Sequence, residues 1–144
     1  MRRTLLAALL LAPAAAGATG VLGTYSSALF SSQQGKDGYT VIQFHSEDCS
    51  VCPRQETMLD RLARDPAWQN VLFLQARYEK EEELRRTYGV DALSTLLFFR
   101  GKRLIGRSAG LYTDEELRSF FLRSQRQDRG RPKSRPERRF LPRR

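Results

Sequence analysis

The chain has 144 residues, of which 40% are hydrophobic and 10% aromatic. That is one domain's worth of sequence with enough apolar material for a core, which excludes wholesale disorder. Lys and Arg number 25 against 16 Asp and Glu, for a net charge of +9, but the excess sits at the ends: residues 126–144 hold nine basic and two acidic side chains, Arg2 and Arg3 add two more, and residues 4–125 balance. The body of the chain therefore carries no nucleic-acid footprint, and no nucleic-acid partner is expected. One His and two Cys leave few ligands for a closed four-ligand zinc site, and no Gly-rich phosphate loop is present.

Residues 1–18 read as an export signal. Met1-Arg2-Arg3 is a positive start, Thr4 to Ala12 an apolar run, and Ala16-Gly17-Ala18 a small-residue cleavage pattern, with cleavage expected after Ala18. The strongly apolar part is well short of the ~20 residues a spanning helix needs; an uncleaved anchor is the alternative. Export to a periplasmic or other extracytoplasmic compartment places both cysteines where disulfide chemistry operates.

The expected domain covers 19–124. After a short Gly-containing lead-in, Ser26 to Gln34 is expected as a helix with a serine cap, and Tyr39 to His45 as a strand rich in β-branched and aromatic residues. Cys49 to Arg64 is expected as a helix with Met58, Leu59 and Leu62 on one stripe and Pro53 tolerated in the first turn. Trp68 follows the helix stop and is expected at the domain edge. Val71 to Ala76 is a second strand. Glu79 to Tyr88 is a helix with acidic residues first and basic ones last, stopped by Gly89. Thr95 to Phe99 and Arg103 to Arg107 flank a turn and read as a hairpin. Thr113 and Glu116 form a capping box for the last helix, whose buried face is Leu117, Phe120 and Phe121. From Gln125 to Arg144 the composition predicts a basic disordered tail. The order α-β-α-β-α-β-β-α implies an α/β fold, a small mixed sheet with helices on both faces.

Cys49-Ser50-Val51-Cys52 falls where a strand ends and a helix begins. Cysteines at i and i+3 there lie close enough to bond, and the unpaired N–H groups and positive dipole of the helix start favour a thiolate. Cys49 is expected to be exposed and nucleophilic, Cys52 to be the shielded resolving thiol. A structural disulfide, or half of a metal site completed by His45, Asp48 or a second chain, are the alternatives for such a pair.

The stretch from Tyr39 to Arg123 resembles a thioredoxin-fold protein. The resemblance rests on element order, the spacing of Phe44, Cys49 and Cys52, Tyr88-Gly89-Val90, Thr95-Leu96-Leu97-Phe98-Phe99, and Gly110 before the last helix. It implies a thioredoxin-like fold and a Cys49–Cys52 redox disulfide. With the signal, it implies an exported bacterial thiol–disulfide oxidoreductase, with no cofactor or metal beyond its dithiol. Its partners would be disulfide-containing or dithiol proteins and an upstream electron donor. Four departures stand out. Asp48 replaces the Trp that commonly precedes the first Cys, Ser50-Val51 stands between the cysteines instead of Gly-Pro or Pro-His, Gln43 stands where the family holds a buried carboxylate, and Leu93-Ser94-Thr95 replaces the loop with a cis-proline. An amide cannot take the resolving thiol's proton. Ser94 is expected in trans or rearranged backbone with Oγ free to approach the sulfurs, and Ser94→Pro is expected to alter redox behaviour more than stability. Glu47 and Asp48 oppose a thiolate at Cys49, while His45, if protonated and turned inward, offsets them; a moderate reductant or isomerase-type protein is favoured over a strong oxidant. A non-catalytic binding module or a metal carrier is the competing function, and the tail is a candidate arm for anionic surfaces.

Overall fold

Alternation assigns the strand residues to two faces. In Tyr39–His45 every residue from Thr40 to Phe44 is buried, with Val41 in one hydrophobic cluster and Ile42 and Phe44 in the other. A strand covered on both faces needs helices on both sides of its sheet. The computed structural model describes residues 21–131; the expected export signal (1–18) and residues 132–144 of the expected tail lie outside the described residues. In chain order the elements are β1 (Gly23–Thr24), α1 (Ser27–Gly35), β2 (Tyr39–His45), α2 (Cys52–Arg64), a 3-10 turn (Pro66–Trp68), β3 (Val71–Arg77), α3 (Glu82–Tyr88), β4 (Thr95–Arg100), β5 (Arg103–Ala109) and α4 (Asp114–Arg129).

The sheet order is β1-β3-β2-β4-β5. β2 and β3 are parallel, with Tyr39 opposite Val71 and His45 opposite Arg77. β4 runs antiparallel to β2 and β5 antiparallel to β4. The expected α/β fold with a mixed sheet is what forms. α2 and α4 cover one face, where Phe121 packs against Phe98 and Phe120 (ring centroids 5.1 Å each) and Trp68 (5.5 Å). α1 and α3 cover the other through Phe30 and Leu84. Trp68, expected at the edge, is 5% exposed and belongs to the first cluster.

These directions gather the end of β2, the start of α2, the start of β4, the end of β5 and the start of α4 at one pole of the sheet. Tyr39, Arg100, Arg103 and the end of α4 lie at the other. At 1.5 Å per residue α4 alone spans ~24 Å between them. The capping box is present: Glu116 N–H donates to Thr113 Oγ1, and the Glu116 carboxylate accepts from the N–H groups of Tyr112 and Thr113. Those donors hold the Glu116 carboxyl below its ordinary range.

Several element ends shift by one or two residues, and four differences are larger. β1 is too short to leave a pattern and pairs only Gly23 with Leu74 and Thr24 with Gln75. α2 begins at Cys52 rather than Cys49. α3 begins at Glu82 rather than Glu79, because the N–H groups of Lys80 and Glu81 turn back onto the Arg77 carbonyl. α4 continues past residue 124 to Arg129. The disordered tail expected from Gln125 is thereby corrected over the helix's last turn. Asp128, with its side chain 0% exposed, pairs with Arg100 Nη1 at 3.1 Å and with Arg103, drawing that turn onto the hairpin.

α4 lies so close to β5 that Gly106 is required there. A Cβ at that position would sit 2.3 Å from Ser124 Oγ and 3.1 Å from Phe120 Cε2. Gly106→Ala is expected to cost ~1–3 kcal/mol through overpacking, read by urea unfolding. Adding Ser124→Ala should recover part of that loss. Full stability of the single variant would show that α4 does not pack as closely as described.

Candidate active site

The sharp passage from β2 into α2 places both cysteines at the first pole. Ser46 organises it: its carbonyl accepts from Cys49 N–H (3.3 Å) and its hydroxyl from Asp48 N–H (3.3 Å). Cys49 and Cys52 form a disulfide with Cα atoms 5.4 Å apart. Cys49 lies before the helix, not on it. α2 has no side-chain cap from its N-cap residue Val51, and Cys49 Sγ fills that role by accepting the Cys52 N–H at 3.1 Å. A free helix-start N–H aimed at a sulfur favours the thiolate form of that sulfur in the reduced protein. Cys49 was expected to be exposed and is 7% exposed, against 2% for Cys52. The Ser46 turn folds it under the loop, yet it remains the more accessible of the two.

The charges nearby are partly committed elsewhere. Glu47 pairs with Arg77 at 3.0 Å, which draws its charge away from Cys49. Asp48 stays exposed beside the disulfide. His45 ends β2 with its carbonyl accepting from Tyr78 N–H (2.9 Å), and no hydrogen bond joins it to either sulfur among the described residues. Its field reaches Glu79, whose carboxyl is held low first by a hydrogen bond from the Ser46 hydroxyl and more weakly by Arg77 and His45.

Beneath the disulfide lies a chain of neutral amides. Gln43 and Gln55 are both 0% exposed. Gln43 Nε2 donates to Gln55 Oε1 (2.9 Å) and to the Cys52 carbonyl (3.4 Å), while Gln43 Oε1 accepts from Gln75 Nε2 (3.3 Å). Gln55 Nε2 then donates to the carbonyls of Ser94 (3.2 Å) and Leu111 (3.3 Å). The network joins α2, β2, β3, the loop before β4 and the loop before α4. It satisfies buried polar groups, but none of its members titrates. Cys52 Sγ lies 3.8 Å from the Phe44 carbonyl oxygen, an acceptor for a thiol proton that cannot carry it away.

Gln55 and Gln75 escaped the sequence reading, although each left a trace. Gln55 shares the helical stripe of Met58, Leu59 and Leu62, a polar residue on an apolar face. Gln75 stands opposite Gln43 in the parallel register. Among the described residues no group of three or more His, Cys, Asp or Glu side chains could hold a metal.

Ser94 takes the place opposite the sulfurs' helix with φ +53°, and no cis peptide bond occurs among the described residues. Its Oγ was expected to be free; it accepts the Gly110 N–H at 3.1 Å, and the residue is 5% exposed. This overturns the expectation for Ser94→Pro. A proline ring fixes φ near −65° and cannot match a left-handed site. Ser94→Pro should lose well over ~1 kcal/mol of stability, whereas Ser94→Gly, free at positive φ, should lose only the bond from Gly110 N–H and melt above the proline variant. Equal melting temperatures for the proline variant and wild type would refute the left-handed loop.

The thioredoxin family profile matches residues 22–123. Among solved structures, Trxlp of Edwardsiella tarda EIB202 superposes with a TM-score of 0.65 at 25% identity, over 69% of this chain and 96% of that one. The thioredoxin Mala s 13 of Malassezia sympodialis gives 0.64 at 21% identity, over 72% and 90%. Fasciola hepatica thioredoxin gives 0.59 at 23%, over 72% and 97%. No curated protein gives a significant match.

Proposed function

The chain belongs to the thioredoxin family, and on that footing we propose that it is an exported thiol–disulfide oxidoreductase acting on extracytoplasmic proteins. The observation that carries this reading is the Cys49–Cys52 disulfide held at a helix start, with the Cys52 N–H on Cys49 Sγ. In the reduced protein the Cys49 thiolate attacks one sulfur of a client disulfide. The client's other sulfur leaves as a thiolate and a mixed disulfide forms. Cys52, once deprotonated, attacks Cys49 Sγ, closes the protein's own disulfide and releases the client as a dithiol. Two electrons have passed to the client, and an upstream dithiol donor must return them; the reverse sequence oxidises a client.

Each residue has a part in this scheme. The helix start and the Cys52 N–H stabilise the Cys49 thiolate. Asp48 opposes it by like charge. Gln43 and Gln55 fix the Cys52 backbone and the Ser94 loop without supplying a base, so release of the mixed disulfide draws its proton acceptor from solvent. Slow release suits exchange and isomerisation better than rapid oxidation.

The low exposure of Cys49 favours one second reading, a binding module with a structural disulfide. The reduction potential against glutathione separates the two. Structural disulfides lie below about −300 mV and exchange couples above it. A value above that line, with turnover of a disulfide-bonded reporter, supports the oxidoreductase; a value below it, with no turnover, supports the binding module. Export is tested by fractionation and by the amino terminus of the mature chain, expected at Thr19.

A further inference from the structure

At the pole opposite the disulfide, the turn between β4 and β5 and the end of α4 border an open cavity of about 430 Å³ lined by Asp37, Arg100, Arg103, Asp128, Arg129 and Arg131. Four guanidinium groups face two carboxylates there, so the lining is net cationic. The carboxylates act as positioning groups. Asp128, fully buried, holds Arg100 and Arg103 together, and Asp37 holds the other Arg100 terminal nitrogen at 3.3 Å. Each guanidinium has five N–H donors, so both arginines keep donors after these pairings. The Arg103 side chain is 37% exposed, so its terminal nitrogens stay within reach of solvent. Arg129 and Arg131 are exposed and form no ion pair among the described residues.

Pre-set guanidinium forks with spare donors, two unpaired arginines beside them and a net positive cavity of small-ligand size match one chemistry. We propose that this cavity binds a phosphate group, whose oxygens accept several N–H donors at once in the geometry arginine offers. The site is independent of the dithiol, because the length of α4 separates the two poles. A phosphate-bearing surface engaged here would leave the Cys49–Cys52 end facing away from it. The basic residues that continue the chain from 132 to 144 would add long-range attraction to such a surface.

The test uses the full chain titrated with inorganic phosphate at constant ionic strength, followed by calorimetry and by backbone amide shifts. Saturable one-to-one binding is expected, with shifts centred on Arg103 and Arg131. Arg103→Gln should weaken it about tenfold or more, as loss of a charged donor does. Arg129→Ala combined with Arg131→Ala should do the same. That second variant leaves the Asp128 pairs untouched, so it decides the matter if Arg103→Gln disturbs the fold. Arg143→Ala with Arg144→Ala should leave phosphate affinity unchanged. Vesicles of phosphatidylglycerol identify the source: competition with inorganic phosphate means that a lipid headgroup enters the cavity, and binding without competition means that the cavity takes free phosphate. Absence of saturable phosphate binding, or full affinity in both arginine variants, overturns the proposal, whatever the redox activity proves to be.

Discussion

Cys49→Ala is expected to abolish disulfide exchange to background, whereas Cys52→Ala should accumulate mixed disulfides with client proteins. The asymmetry follows from the helix start. Cys49 Sγ receives the Cys52 N–H and is the sulfur whose negative charge the unpaired backbone donors stabilise. Cys52 sits behind it, 2% exposed and beside the Phe44 carbonyl, an arrangement that favours a protonated thiol. Once Cys49 has bonded to a client, only Cys52 is placed to release it. Non-reducing electrophoresis of the two variants after incubation with oxidised extracytoplasmic protein reads this directly. Alkylation of the reduced wild type at neutral pH should label Cys49 far faster than Cys52. Equal labelling, or trapping by Cys49→Ala, would reverse the assignment.

The sequence revealed those features that depend on strong local patterns. β2 spans Tyr39–His45 as expected because β-branched and aromatic residues fill it, and the Thr113–Glu116 box marks the start of α4 through two side chains that satisfy each other's backbone. What stayed hidden depends on tertiary contact. Asp128 is one of two acids in a basic run, and composition read that run as solvated; its burial between Arg100 and Arg103 extends the helix. The two residues of β1 carry no periodicity. At the site, the spacing of Cys49 and Cys52 placed the pair at the strand–helix junction, but the Ser46 turn that covers Cys49 and starts the helix late is a matter of backbone hydrogen bonds. The Gln43 substitution was visible, while its partners Gln55 and Gln75 converge only once α2 and β3 pack around β2. Ser94 stood out as a non-proline, but its positive φ and its bond from Gly110 belong to the fold.

Gln43→Asp is expected to trade stability for faster release. Position 43 is 0% exposed, so a carboxylate there is desolvated and its pKa rises above the ordinary ~3.9. A raised acid pKa means that the folded state holds the proton more tightly than the unfolded chain. The penalty is therefore fully present above the folded pKa, shrinks as pH falls, and vanishes below ~3.9. A shift of two to three units corresponds to ~3–4 kcal/mol of lost stability on the alkaline side. Urea unfolding should thus put the variant well below wild type at pH 8 and closer to it at pH 5. Gln43→Leu should lose ~1–3 kcal/mol by stranding the Cys52 carbonyl, Gln55 and Gln75, with no pH dependence of its own. The gain lies in the second half of the exchange. A carboxylate beneath Cys52 is a proton acceptor that the amide chain lacks, so decay of the mixed disulfide should accelerate as pH rises through the new group's pKa. Stopped-flow release of a labelled client across pH 5–9 measures it. Unchanged release together with pH-independent stability would mean that position 43 is solvated and that the amide chain has no hold on Cys52.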